Sequence, residues 1–457
     1  MTRRGFVSSA AAIATGAVRR SRAVQLPDST KQMQAILARI RAPQFPDRVF
    51  DIVQYGAIAG AQENSSDAIA KAIDACSKAG GRVLVPRGEF LTGPIHLKSN
   101  TNLHLEEGAV LKFSTDPQKY LPLVLTRFEG TECMNYSPLI YAFEQNNVAV
   151  TGTGLLDGQA DNDHWWSMRA KAKTDADALV AMADRDVAVS RRIFGEGHYL
   201  RPNFFQPYRC NNLLIEGIRI RSSPMWELNP VLCRNVTVRN VKIASFGPNN
   251  DGCDPESSTD VLIEGCIFET GDDCIAIKSG RNRDGRRVGV ACENIVIRDC
   301  TMKDGHGGVS LGSEGSGGIH NVFVENCRMD SPNLQRALRL KTNSFRGGSY
   351  ENVYFTNVTV GQVAEAVIEV DFFYPEYANR EGRGGPFQPL VKNVVVENVT
   401  SRKSKRAVYL RGYPDAPLSG VRIAHCSFNN VAENDVIENV KDFQLEDVKR
   451  NGKEMKG

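Results

Sequence analysis

The 457-residue chain is predicted to be an all-β protein, a right-handed parallel β-helix with an N-terminal capping helix and a helical insertion. Three observations predict this. A short motif recurs from about residue 100 to residue 426, its strand-favouring residues alternate with period two, and the copies are spaced by variable lengths that suit one coil of a solenoid.

The motif begins with Asn or Asp, alternates apolar and polar residues, and closes on a small or polar residue before another apolar one. Its clearest copies are Asn235–Val241, Asp260–Cys266, Asn294–Cys300, Asn321–Cys327, Asn352–Val358 and Asn393–Val399, with weaker copies from Asn102, Asn147, Asn212 and Gly420. Successive starts from Asn212 to Asn393 lie 23, 25, 34, 27, 31 and 41 residues apart. No unit of that size buries its own core, so the units must stack, with loops of unequal length on one side. A leucine-rich horseshoe is disfavoured because it needs a Leu-dominated period of fixed length.

The regions outside the repeat follow from their own patterns. Residues 1–23 carry Arg3, Arg4, Arg19, Arg20 and Arg22 without an acid, and read as a twin-arginine-type export signal, which implies a periplasmic or secreted protein. Residues 24–46 are expected to be a linker, and 47–457 a single β-helix domain with a cap region at 47–100. Within the cap, Ser66–Gly80 places Ala68, Ile69, Ala72, Ile73 and Cys76 at helical spacing, a helix suited to covering the open first coil. Residues 160–200 interrupt the repeats with Trp165-Trp166 and an Ala-rich, charged stretch that reads as a projecting helical insertion.

Composition excludes some functions. The formal charge of +3 becomes −2 once the five arginines of residues 1–23 are set aside, which removes support for nucleic-acid binding. No apolar run approaches the roughly 20 residues of a membrane span. Of the eleven cysteines, Cys266, Cys300, Cys327 and Cys426 share one register, as small apolar side chains stacked in a core would. A disulfide involving Cys133, Cys210 or Cys233 is left open.

Measured from their own coil starts, Asp251 lies 16 residues on, Asp272 and His306 each 12, and Arg339 18, so all four fall on one side of consecutive coils. Crowded carboxylates cannot all ionise freely, and their repulsion lets an acid and a base coexist. Glycosidic cleavage needs that pairing, a proton donor to the departing oxygen and a base for the attacking water. Taken alone, Asp272-Asp273 serves equally well as a turn or a calcium ligand. Arg339 and Lys341 alternate onto one strand face, where a guanidinium fork and an ammonium would suit a uronic acid.

Four motifs in order resemble the polygalacturonase family, glycoside hydrolase family 28: Asn249-Asn250-Asp251, Gly271-Asp272-Asp273, Gly305-His306-Gly307 and Arg339-Leu340-Lys341. Phe50–Gly56 is similar to the family's opening strand. The chain departs at Asn250, where Thr is common, and at 57–66, where a Gly-Asp-Gly turn is absent. The resemblance implies Asp272 as general acid, Asp251 with Asp273 as the base pair holding the water, His306 beside the acid, and inversion at the anomeric carbon. It implies no metal and no cofactor. Asn249, Arg339, Lys341, Lys278 and Arg281 are expected to bind substrate, with Arg201 a weaker candidate. The implied partner is pectic polysaccharide or an oligogalacturonide, acted on by a monomer from the chain end, the 160–200 insertion blocking one end of the groove. A calcium-dependent pectate lyase and a non-catalytic carbohydrate-binding β-helix are the alternatives.

Overall fold

The computed structural model describes residues 29–60, 62–375 and 382–456; the expected export signal at 1–23 lies outside them. The chain winds into a right-handed parallel β-helix, as predicted, and each motif copy supplies a strand paired in register with the next. Val236, Val261, Ile295, Val322, Val353, Val394 and Val421 form one continuous column. These residues are buried and belong to a core running the length of the solenoid. Burying a side chain of this size stabilises by about 1.5–3 kcal/mol, and since each coil shares the gain with its neighbours, only the stack is stable. All eleven cysteines are buried free thiols, and Cys266, Cys300, Cys327 and Cys426 lie in the core.

The Asn that opens each copy has two physical tasks. Its backbone takes left-handed φ values, 56° at Asn235, 59° at Asn294, 55° at Asn321 and 60° at Asn352, a conformation Asn tolerates better than most residues. Its side chain donates to the Asn one coil below, at 2.9 Å from Asn352 to Asn321 and 3.0 Å from Asn321 to Asn294. The first rung of this amide ladder is Asn100, two residues before the expected Asn102, because Val148 pairs with Thr101 and Asn147 donates to Asn100.

Helix α1 (Ser29–Arg39) corrects the linker assigned to 24–46. The outward residues Leu262, Val296, Phe323, Tyr354 and Val395 form an apolar stripe, and Met33, Ile36 and Ile40 cover it. Arg39 anchors the helix by donating to Asp260 Oδ1 at 2.6 Å. Helix α2 (Ser66–Ala79) buries all five predicted residues against the first coils. The opening strand is shorter than Phe50–Gly56. It spans Val49–Asp51, because Asp51 Oδ1 accepts from Val53 N at 2.9 Å and turns the chain into a 3₁₀ segment. The insertion contains helix α3 (Arg169–Asp184). Trp165 is buried edge-on to Tyr120, whereas Trp166 is only partly buried and donates to Ser223 O. No helix among the described residues is long and apolar enough to cross a membrane.

A second parallel sheet, built from Ile275–Ile277, Val309–Gly312, Arg336–Lys341, Ala366–Asp371, Arg406–Arg411 and Val436–Glu438, faces the side where the loops are longest. Single bridges extend it towards the N-terminus through Leu228 and Cys253.

Candidate active site

Register on this sheet decides which side chains meet. Asn250, Asp272 and His306 stack in one column, since Asp272 N donates to Asn250 O and His306 N to Asp272 O, both at 3.2 Å. Asp251, Asp273 and Gly307 form the adjacent column, linked by Gly252 N to Asp273 O at 3.0 Å and Cys274 N to Gly307 O at 2.8 Å. Further along the strands, Glu256, Lys278, Gly312, Lys341 and Asp371 share a third. Arg339 and Lys341 project on the same face of Arg336–Lys341, as alternation requires.

The glycines of Gly305-His306-Gly307 make room for this packing. A Cβ on Gly307 would sit 2.3 Å from Ser310 Oγ and 2.9 Å from Asp273 Oδ1, and one on Gly305 would meet the Asp272 carbonyl at 2.0 Å. Asn250 is a buried knot. Its Oδ1 accepts from Ser245 Oγ and Gly247 N, and its Nδ2 donates to the carbonyls of Ser223 and Met225, so an amide there braces the loop that carries Asp251.

Carboxylate oxygens of Asp251, Asp272 and Asp273 lie within 4.8 Å of one another. Asp272 is the member most open to the cavity; its Oδ1 is 2.8 Å from His306 Nδ1 and accepts from Asp273 N at 3.0 Å. Asp273 is wholly buried, with Lys341 Nζ 2.6 Å from Oδ2 and Arg339 Nη1 3.6 Å from Oδ1. Burial alone would raise its pKa, but Lys341, Arg339 and Lys278 outweigh burial and hold it well below the usual carboxylate range. Asp251 is pushed the other way, by burial and then by Asp254 and Asp272, with Lys278 opposing. The two neighbouring acids are thus held on opposite sides of the ordinary value. Asp251 Oδ1 and Asp273 Oδ1 accept no hydrogen bond from the protein, a costly state for buried acceptors.

A single ammonium holds the floor of the site. Lys278 Nζ lies 3.5 Å from Asp251 and from Asp254, 3.3 Å from Glu314, and 4.3 Å from the centre of the Trp226 ring. Burial works against its charge, yet these carboxylates raise its pKa well above normal. Burial pushes Asp254 up to about 7 against that attraction. Glu314, also raised by burial, is brought down to about 2 by Lys278, Arg346, Lys341 and Arg281.

The cavity over these residues has a volume of about 400 Å³ and is lined by Asp251, Asp272, His306, Asn249, Lys278, Arg281, Arg339 and Lys341, so the structure brings together every predicted site residue except Asp273, which lies behind the surface, and Arg201. Arg201 braces a loop, donating to the carbonyls of Pro224 and Pro248 and to Asn249 Oδ1, each at 2.7 Å. The sequence reading missed Glu129, Trp226, Glu314, Arg346 and Tyr374, which also line the cavity. Glu314 had a signal, since it lies only seven residues beyond Gly305-His306-Gly307. Tyr374, whose ring centre is 5.8 Å from the Arg339 guanidinium and 5.5 Å from Lys341 Nζ, had none. The 160–200 insertion lends only Arg169 to the cavity wall; Glu129, from a hairpin upstream, stands beside it.

A parallel β-helix that gathers three aspartates under a cleft rimmed with fixed cations defines a carbohydrate-active enzyme. Residues 194–449 match the family described as glycosyl hydrolases family 28. The chain is 44% identical to a hyperthermoactive exopolygalacturonase from Thermotoga maritima, covering 93% of this chain and 96% of that one, with a TM-score of 0.89. It is 27% identical to a probable polygalacturonase of Vitis vinifera over 84% of this chain and 74% of that protein. It is 26% identical to an exo-poly-alpha-D-galacturonosidase of Dickeya chrysanthemi over 80% of this chain and 64% of that protein. The chain belongs to glycosyl hydrolases family 28 and is a glycoside hydrolase.

Proposed function

We propose that this enzyme hydrolyses α-1,4-galacturonosidic bonds of polygalacturonate or its oligomers from a chain end, by direct displacement with water and without a metal. The observation that carries the reaction type is the pair of unsatisfied acceptors Asp251 Oδ1 and Asp273 Oδ1, buried on adjacent rungs beside the more open Asp272. In this reading Asp272 gives its proton to the departing oxygen while Asp251 and Asp273 orient and deprotonate the water. His306 fixes the Asp272 carboxyl, and Arg339 and Lys341 under Tyr374 receive a uronate carboxylate.

The carboxylate spacing is tighter than the roughly 6.5–9.5 Å usual for inverting enzymes. Inversion is nonetheless favoured by burial. Asp273 is tied to Lys341 and does not line the cavity, and Asp251 lines it but is almost as enclosed, which favours action through a water over direct attack on a sugar carbon. The first product should therefore have the opposite anomeric configuration to the bond cleaved, as proton NMR during early turnover would report; retention would overturn this step.

Three converging carboxylates are also the geometry of a cation site, which would suit a calcium-dependent lyase. Here Lys341 is ion-paired with Asp273 and Lys278 stands 3.5 Å from Asp251, two fixed cations that would repel a metal ion, which supports the metal-independent reading. Chelator-treated enzyme is expected to keep its activity and to form no ultraviolet-absorbing unsaturated product. Chain-end action is supported by Glu129 and Arg169, which line the cleft where it adjoins a second cavity, and by the names of the relatives from Thermotoga maritima and Dickeya chrysanthemi. The deciding experiment is product analysis on polygalacturonate with wild type beside Asp272→Asn. Monogalacturonate from the wild type and a loss of about 10²–10⁴-fold in the variant are expected; an active variant would reject the assigned acid.

A further inference from the structure

We propose that the side chain of Glu129 ends the substrate cleft, and that the cavity behind it is a latent binding site for one more uronosyl residue. The inference rests on the chain-end reading above and names what enforces it.

Glu129 sits at the tip of a hairpin, Val124–Phe128 paired with Thr131–Asn135. Its two turn residues, Glu129 at φ 42° and Gly130 at φ 80°, are both left-handed, the backbone of a tight two-residue connection. The tip is held from several sides. Arg127, wholly buried, donates to Glu256 Oε1 at 3.0 Å and Ser257 Oγ at 3.2 Å. Arg281 N donates to Gly130 O at 3.0 Å, and Arg281 Nη1 lies 3.1 Å from Glu129 Oε2. A Cβ on Gly130 would come within 2.9 Å of both Arg281 N and Glu314 Cγ. The hairpin is thus a fixed wall.

Glu129, Arg169 and Asn249 line the catalytic cavity and also a second one of about 560 Å³ between the hairpin and α3. This second cavity is lined by Arg169 and Lys173, one helical turn apart, beside the partly buried ring of Trp166; Lys173 Nζ also pairs with Asp177 Oδ2 at 2.5 Å, a partner a uronate carboxylate would have to share. Two cations on one helix face and an aromatic ring are the complement of a uronate, whose carboxylate needs charge and whose ring carbons need an apolar surface. The Glu129 side chain, ion-paired with Arg281, lines both cavities and blocks by bulk the residue that would bridge them.

The test uses end-labelled oligogalacturonides of defined length and Glu129→Gly, which removes the side chain while accepting the left-handed turn. Glu129→Asn, a residue favoured in such turns, guards against a folding defect. Removing one contact of this kind alters discrimination by roughly 10–200-fold, so the ratio of dimer to monomer in the first products should rise by about tenfold or more. Adding Lys173→Ala should return the ratio towards the wild-type value. Monomer alone from both shortened variants would overturn the proposal, as would dimer release unaffected by loss of Lys173. If the wild type itself released mid-sized oligomers, the chain-end reading would fail instead, whatever the variants did.

Discussion

Replacing Lys278 with Met isolates the electrostatics of the site, because Met keeps an unbranched stem of similar length and deletes the ammonium, together with its approach to the Trp226 ring. In the wild type that charge lies 3.3–3.5 Å from three carboxylates. At an effective dielectric constant of about 20, each such pair is worth at most about 5 kcal/mol; removing one partner from a buried cluster typically costs about 3–5 kcal/mol in total. The loss depends on pH, and its sign follows from the acids left behind. Asp251 and Asp254 already have raised folded-state pKa values, Asp254 at about 7, and deleting the ammonium raises them further. Such acids hold protons more tightly folded than unfolded, so their cost is absent below about pH 4, grows as pH rises through the gap, and is complete above the folded value. Glu314, held at about 2 with Lys278 as the foremost attraction, loses stabilisation that the wild type has above about pH 4. Unfolding in denaturant at pH 4.5, 6 and 7.5 should therefore show a deficit growing from about 1 to about 3–5 kcal/mol. With about 2.1 cal/mol/K of unfolding entropy per residue over the 457-residue chain, that maximum lowers the melting midpoint by about 3–5 °C. The acidic limb of the activity profile should move to higher pH, since Asp251, the proposed base, must lose its proton. A deficit equal at all three pH values, or below about 1 kcal/mol at pH 7.5, would refute the argument.

Gly307→Ala puts a methyl against Asp273 Oδ1 and Ser310 Oγ. It should lower kcat by about 10²-fold through displacement of the base by a fraction of an ångström, while unfolding shows a loss of only about 1–3 kcal/mol. Asn321→Ala loses two ladder hydrogen bonds and strains a left-handed backbone, for about 3 kcal/mol in urea unfolding, whereas Asn321→Gly loses the same bonds but spares the backbone and should cost about 1 kcal/mol less; equal losses would show that the backbone term is negligible. We also propose export through the twin-arginine signal. Replacing Arg3 and Arg4 together by Lys should leave the protein in the producing cell, as fractionation and immunoblotting would show; undiminished export would exclude that route.

The coil is written in local chemistry. Asn or Asp followed by alternating β-branched residues specifies a left-handed corner and then a strand, and neither depends on distant parts of the chain, so the β-helix and the face carrying Asp251, Asp272, His306, Arg339 and Lys341 could be read directly. The amphipathic cap Ser66–Ala79 was legible for the same reason. Helix α1 was not, because Met33, Ile36 and the following Ile40 make sense only once the outward stripe from Leu262 to Val395 exists for them to cover. The charge balance beneath the site was equally hidden. Lys278 meets Glu314 36 residues further on because their coils are stacked, and stacking also separates Asp251 from Asp273 electrostatically.

What ended the cleft was decided by tertiary structure alone. Glu129 and Arg281 are 152 residues apart, on a hairpin and a coil that share no repeat register. A solenoid's periodic code reports which side a residue faces on its own coil; it carries no information about segments that leave the coil and return from outside, because their position is set by contacts such as Arg127 with Glu256 that have no local signature. The sequence by itself therefore determined the scaffold and the order of the reacting groups along it, while the folded molecule determined the ionisation of those groups and the length of the space before them.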